Sequence, residues 1–428
     1  MKNFILINII LLGFISEISS QQGWFTLHTY QGTSSYTGLK FFDSQTGYLT
    51  SRFGNAHING GITQKTTNGG LNWFTVLSGV PEDGLFFINV NTGWVYGGYW
   101  DDAGERSREI FWTTNGGANF IRVYLDSLTN AFSKMFFADV NTGYLLSTDT
   151  SIYKSTNSGY NWSVCATISL FSIYFINANT GWGSAALGNV YKTTNGGMNW
   201  SSYNVGTSIA LRNVIFRDYN TGWVNSSSHI FKTTNSGINW AAYSLGFSGA
   251  YKMEFYDYNK GWLTKDSGKV AYTSNGGINW MIQNGGVIHN LSFISFANSS
   301  TGFVAGWRMV SPYPATGEVI LMKTTTGGLT PVEHLSNNIP KDFSLSQNYP
   351  NPFNPSTTIE FDIPASCVAS LTIYDVTGRK VESLVNELVS SPGRYRVLWN
   401  AANYSSGIYF YTIKTESFQQ TKRMVFVK

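Results

Sequence analysis

Between residues 24 and 328 short apolar runs alternate with polar turns, and the turns repeat. An apolar pair, an Asp or Asn, then Thr-Gly and an aromatic residue occur as Phe41…Asp43…Thr46-Gly47-Tyr48 and Phe87…Asn89…Thr92-Gly93-Trp94. The pattern returns at Phe137/Gly143/Tyr144, Phe175/Gly181/Trp182, Phe216/Gly222/Trp223, Phe255/Gly261/Trp262 and Phe296/Gly302/Phe303. Alternating with it is Lys-Thr-Thr-Asn-Gly-Gly-x-Asn-Trp, seen at Lys65–Trp73 and Lys192–Trp200. Variants end at Phe120, Trp162, Trp240 and Trp280, and a truncated copy runs Lys323–Gly328. Asn-Gly-Gly supplies the positive φ angles of a tight hairpin, and the flanking Thr residues favour strand. Each unit of about 40 residues therefore predicts four strands that cannot bury their own faces, so the units stack radially as propeller blades.

The seventh copy stops at Leu329-Thr330-Pro331, where Asn-Trp is due. Gly23-Trp24-Phe25-Thr26-Leu27 resembles Asn72-Trp73-Phe74-Thr75-Val76, so the N-terminal strand is expected to complete the last blade, close the ring and fix the count at seven. Farther on, the alternation in Thr358–Ile363, Ser370–Tyr374, Tyr395–Trp399 and Ile408–Ile413 predicts half-buried antiparallel strands, with Pro352 and Pro355 stiffening the entry. The expected fold class is all-β: a seven-bladed β-propeller followed by an Ig-like β-sandwich. At the start, Met1-Lys2-Asn3, the apolar run Phe4 to Ile15 and the small polar stretch Ser16 to Ser20 read as a signal peptide cleaved near Ser20 or Gln21. The expected organisation is signal peptide 1–20, propeller 21–330, linker 331–341 and C-terminal domain 342–428.

Composition agrees with an all-β chain: 12% charged residues, 16% aromatic and 44 glycines. A formal charge of +4 with no Lys/Arg block gives nucleic acid no electrostatic footprint. Cys165 and Cys367 fall in different halves of the chain and read as core fillers. The five His are scattered, so neither a disulfide framework nor a metal or cofactor site is expected. The repeated Lys65, Lys154, Lys192 and Lys232 read as solvated strand positions.

The second motif is similar to the Asp-box (BNR repeat) of sialidase-like propellers, with Asn in place of Asp. Taken with the first motif, the array resembles the seven-bladed propellers of photosystem II assembly factors and related bacterial proteins, in which the box is a structural turn. Residues 342–428 resemble the type A sorting domain of the type IX secretion system. That likeness is carried by Gln347-Asn348-Tyr349-Pro350-Asn351-Pro352-Phe353-Asn354-Pro355-Ser356-Thr357, Ile373-Tyr374-Asp375-Val376-Thr377-Gly378-Arg379, Gly407–Tyr411 and Thr421-Lys422-Arg423-Met424. It implies the secretion machinery as a partner, with passage through periplasm and outer membrane to a secreted or cell-surface location.

Loop lengths point to a site. From the Thr-Gly glycine to the following Asn-Gly position, units 3 to 6 span 13 or 14 residues, whereas units 1, 2 and 7 span 21, 22 and 24. Ring closure makes these three blades neighbours, and the insertions share the face opposite the Asn-Gly-Gly hairpins. Arg52 and His57, then Tyr99, Trp100, Asp101, Asp102 and Glu105, then Trp307 and Arg308 are the candidate ligand contacts there. Rings beside carboxylates and Arg suit a protein or glycan ligand. The leading expectation is a monomeric, non-catalytic binding protein. The alternative is a secreted glycan-active hydrolase, sialidase-like or another glycosidase, with Glu318 opposite the blade 2 carboxylates.

Overall fold

The computed structural model describes residues 23–32, 35–53, 60–79, 82–98, 108–125, 132–285, 287–312, 315–328, 332–336, 338–389, 392–401 and 404–428. In the boxes of blades 1 to 6 the Thr or Ser and the first Asn close a local ring of hydrogen bonds, and in blade 7 Thr326 stands in the Asn place. Thr66 Oγ1 donates to Asn68 Oδ1 (3.0 Å) and accepts from Gly70 N–H (3.0 Å), while Asn72 N–H donates to Asn68 Oδ1 (2.9 Å). Gly69 and Gly70 sit at φ of 70° and 86°, the left-handed region that glycine enters without steric cost. The box tryptophan then donates its indole N–H back to the turn, Trp73 to the Gly70 carbonyl at 3.0 Å. The Thr-Gly turns are fixed as locally: Asp43 Oδ1 accepts from the backbone N–H of Gln45 (2.7 Å) and Thr46 (2.6 Å), an Asx turn.

These turns join strands into seven four-stranded antiparallel sheets among the described residues, each running outward from an inner strand. Blades 1 to 6 lie within 35–78, 82–124, 132–167, 172–204, 214–244 and 250–284. Blade 7 takes Asn290–Phe296, Gly302–Pro312 and Ala315–Thr324, and its fourth strand is Phe25–Gly32 from the N-terminus. The closure read from the sequence is thus present. Trp24 occupies the box-tryptophan place, edge-on to Phe296 at 5.9 Å, as Trp280 stands to Phe255 at 5.9 Å in blade 6.

Adjacent blades are joined by one aromatic stack at every interface. The ring after Thr-Gly (after Lys260-Gly261 in blade 6) lies flat on the inner-strand Phe of the next blade: Tyr48 on Phe87, Trp94 on Phe137, Tyr144 on Phe175, Trp182 on Phe216, Trp223 on Phe255, Trp262 on Phe296, and Phe303 on Phe41. The tryptophans also donate to the next blade's box, as in Trp94 to the Ser158 carbonyl (2.8 Å) and Trp223 to the Gly276 carbonyl (2.8 Å). Buried indole N–H groups are thereby satisfied while their rings fill the interface.

The repeated lysines are not merely solvated. Lys65 donates to the Gly116 carbonyl (3.0 Å), Lys154 to the Gly196 carbonyl (2.9 Å) and Lys323 to the Gly69 carbonyl (3.3 Å), each in the next blade's box. Lys192 stands over the Trp182 ring at 5.8 Å and Lys232 over Trp223 at 5.3 Å. The aliphatic stem packs along the interface while the ammonium finds a carbonyl or a ring, so the expectation of free solvated positions is corrected. Lys154→Met is expected to cost about 1–2 kcal/mol in urea unfolding; an unchanged midpoint would return this lysine to the solvated class.

The C-terminal part is two four-stranded antiparallel sheets over a shared core. One orders Val332–Ser336, Gly393–Asn400, Ser356–Ile363 and Ser344–Leu345; the other orders Lys380–Val389, Cys367–Asp375, Gly407–Lys414 and Gln419–Phe426. Ile359, Phe361, Val397 and Trp399 of the first meet Leu371, Ile373, Tyr411 and Met424 of the second. The chain crosses from the first sheet to the second after Ile363, back after Val389 and across again after Asn400. The segment 331–341, expected as a linker, carries the strand Val332–Ser336, which pairs with Gly393–Asn400 and widens the first sheet. Cys165 and Cys367 are free thiols, and burial pushes the Cys165 thiol up to about 11.

Candidate functional site

The extended face is built by the second and third strands of blades 7 and 1 and by the inner strand of blade 2. In blade 7 those two strands are eleven and ten residues long, against four and five in blade 5. The extra length expected as a loop instead continues the ladder, with Trp307 opposite Val319, Arg308 opposite Glu318 and Pro312 opposite Ala315. The N-terminal strand follows this ribbon as far as Gly32 opposite Gly317. In blade 1 the ladder reaches Phe53 opposite Gly60.

Arg308 and Glu318 are paired on this ribbon. Arg308 Nε donates to Glu318 Oε2 at 2.5 Å, and His289 Nε2 lies 3.2 Å from the same oxygen. His289 and Glu318 are buried; burial holds the imidazole below its usual range, against the pull of Glu318. The Trp307 indole occupies the space that a side chain at position 317 would need, and Gly317 leaves it free. On the neighbouring blades Arg52 donates to Asp83 at 2.6 Å, linking blade 1 to blade 2, and Arg122 pairs with the buried Glu109. Arg108 stands over the Phe132 ring at 5.6 Å. The Arg52 and Arg122 guanidinium groups of these pairs remain partly exposed.

Of the expected ligand residues, the structure places Arg52 at the end of its strand and Trp307 and Arg308 together on the blade 7 ribbon. His57, Tyr99, Trp100, Asp101, Asp102 and Glu105 lie outside the described residues, as does the expected signal peptide. Asp83, Glu109 and His289 escaped the sequence reading because each precedes or opens a strand, where a polar residue carries no pattern. A cavity of about 730 Å³ lies elsewhere, between blade 6 (Phe247, Lys269, Trp280) and the sandwich (Arg379, Glu382, Tyr404). Glu382 there accepts from Trp399 Nε1 (2.8 Å) and Tyr404 Oη (3.1 Å), and its burial pushes its carboxyl up.

The motif residues of the C-terminal domain are placed by backbone contacts. Asn351 Oδ1 accepts from Val425 N–H at 2.9 Å, Phe353 is buried beside Phe426 and Trp399, and Pro355 and Asn354 lead into the strand Ser356–Ile363. Tyr374 lies opposite Phe410, and Asp375, opposite Tyr409, ends the strand and leads into the turn that follows. Its Oδ1 accepts from Thr377 Oγ1 (2.6 Å) and from the N–H of Thr377 and Arg379, which holds its carboxyl down at about 2. Gly378 takes φ of 79° in the same turn. Lys422 sits on the last strand opposite Tyr411. Asp375, Arg379 and Tyr409 of the motifs line the cavity, while Asn351, Phe353 and Tyr374 do not.

Seven closed blades joined to a two-sheet sandwich define the class: a β-propeller carrying a C-terminal appended domain. Residues 347–428 match the model of the Secretion system C-terminal sorting domain family. The chain therefore carries a type IX sorting domain, which works with that secretion machinery and sends the protein through the outer membrane to the cell surface or beyond it. No curated protein sequence matches the chain. The propeller is similar in fold to YCF48 bound to D1 peptide, at 19% identity and TM-score 0.53 over 71% of this chain and 97% of that one. It is also similar to YCF48 from Cyanidioschyzon merolae, at 18% identity and TM-score 0.53 over 70% of this chain and 98% of that one. The WD40 β-propeller domain of Doa1 aligns at 10% identity and TM-score 0.50 over 70% and 97% of the two chains.

Proposed function

We propose that this exported propeller is a non-catalytic binding protein that holds a protein or glycan ligand on the face built by blades 7, 1 and 2. The observation that carries the reading is the hydrogen-bonded extension of blade 7, where Trp307 and Arg308 stand on a paired ribbon. A contact surface on a rigid scaffold loses little conformational entropy on binding. A propeller of the same fold has been solved with a bound peptide, which keeps a peptide among the reasonable ligands. The glycosidase alternative needs a free carboxylate pair, and Glu318, its candidate on blade 7, has one oxygen shared by Arg308 and His289. The test is to probe glycan and peptide arrays with the full secreted chain and then incubate the captured ligand with it. Recovery of the ligand intact is expected, and release of a cleaved product would give the face to a hydrolase.

A further inference from the structure

The strand Met281–Asn284 of blade 6 packs against the strand Lys380–Val389 of the sandwich. Beside this contact lies the cavity of about 730 Å³, within the range of small-molecule clefts, roughly 300–1,000 Å³. Neither domain builds it alone: Phe247, Lys269 and Trp280 come from the propeller, and Lys380, Tyr404 and Tyr409 from the sandwich. Several of its walls are aromatic, and the polar atoms of those rings are already engaged. Trp280 donates its indole N–H to the Gly277 carbonyl at 3.0 Å, inside its own turn. Tyr409 Oη donates to the Ser405 carbonyl at 2.7 Å, and Tyr404 Oη to Glu382 Oε2 at 3.1 Å. What these rings present to a ligand is therefore their faces.

The carboxylates of the cleft are engaged in the same way. Asp375 accepts through Oδ1 from the backbone N–H of Thr377 and Arg379, and through Oδ2 from Arg379 Nε at 2.9 Å. Glu382 accepts from Trp399 as well as Tyr404. The cations divide differently. Arg379 is paired with Asp375, whereas Lys269 and Lys380 have no carboxylate partner among the described residues. Lys269 opens the strand Lys269–Thr273 of blade 6 and Lys380 opens its sandwich strand, so one uncommitted ammonium group comes from each domain. Ring faces beside uncommitted positive charge complement a molecule with an apolar body and one negative end. A sugar is a poorer match, because its hydroxyls need acceptors and the carboxylates here already accept from the protein.

We propose that the cleft between blade 6 and the sorting domain binds a small monocarboxylate with an aromatic body. Phe247, Trp280 and Tyr404 hold the body, and Lys269 and Lys380 hold the carboxylate. This site is separate from blades 7, 1 and 2 and stands whether or not that face holds a ligand. The probe is phenylbutyrate, titrated into the full chain by ligand-observed NMR, with phenylbutyramide as its uncharged counterpart. Saturable binding of the acid is expected, and the amide should bind at least about tenfold more weakly. Lys269→Glu and Lys380→Glu should each weaken binding of the acid at least about tenfold, since each turns an attraction into a repulsion. Lys269→Arg keeps the charge and should bind as the wild type does. Neither lysine has a carboxylate partner to lose, so all three variants should unfold in urea at the wild-type midpoint, which separates lost binding from lost folding. No saturable binding of the acid, equal affinity for acid and amide, or affinity unchanged in both Glu variants overturns the proposal.

Discussion

The Trp24→Ala variant is expected to be about 3–5 kcal/mol less stable than the wild type. Trp24 is buried, stands edge-on to Phe296 and donates its indole N–H to Gln283 Oε1 of blade 6 at 2.8 Å. Removing it empties an indole-sized volume and leaves the Gln283 oxygen without that donor, which adds an unsatisfied polar group to the cavity. The strand behind it, Phe25–Gly32, is the one that completes blade 7, so loosening its start also frees the edge of Ala315–Thr324. Urea unfolding of the full secreted chain measures the loss. A change below about 1 kcal/mol would mean that closure does not depend on this side chain.

The second large effect is on location. A chain lacking residues 342–428 keeps the seven sheets but loses the domain that matches the sorting family. It is expected to accumulate in the periplasm, with essentially none at the surface or in the medium, as fractionation and immunoblotting would show. Normal delivery of the truncated chain would remove the sorting role. A point variant gives a finer test: Phe353 packs against Trp399 and Phe426, so Phe353→Ala should open the sandwich core before it touches any recognition surface.

The repeat could be read because its determinants are local. Asn68, Gly69 and Gly70 make their turn with neighbours two to four residues away, and Asp43 with Gln45 and Thr46, so the motif and its structure share one short window. Ring closure was legible for the same reason: Gly23-Trp24 copies a box ending that blade 7 lacks. The lysines were misjudged because their partners are not local. Lys154 bonds a carbonyl 42 residues ahead, and no side-chain pattern marks a carbonyl. The pairs Arg52–Asp83 and His289–Glu318 were hidden likewise, since each joins elements far apart in sequence, the first across a blade interface and the second within blade 7. The blade 7 insertion was legible as length but not as strand, because Gly302–Pro312 mixes Gly306, Trp307 and Arg308 without clean alternation. The candidate site is thus placed only in part: Arg52, Trp307 and Arg308 are located, while His57 and Tyr99 to Glu105 lie outside the described residues.

Quantitative binding by the loop-face variants bears most directly on the proposed function. The glycan or peptide captured by the wild type is titrated against Trp307→Ala and Trp100→Ala, with Lys154→Met as a scaffold control distant from that face. The account predicts that each tryptophan variant weakens binding at least about tenfold, as loss of an aromatic anchor does, while the control binds as the wild type does. Unchanged affinity in both tryptophan variants would contradict it.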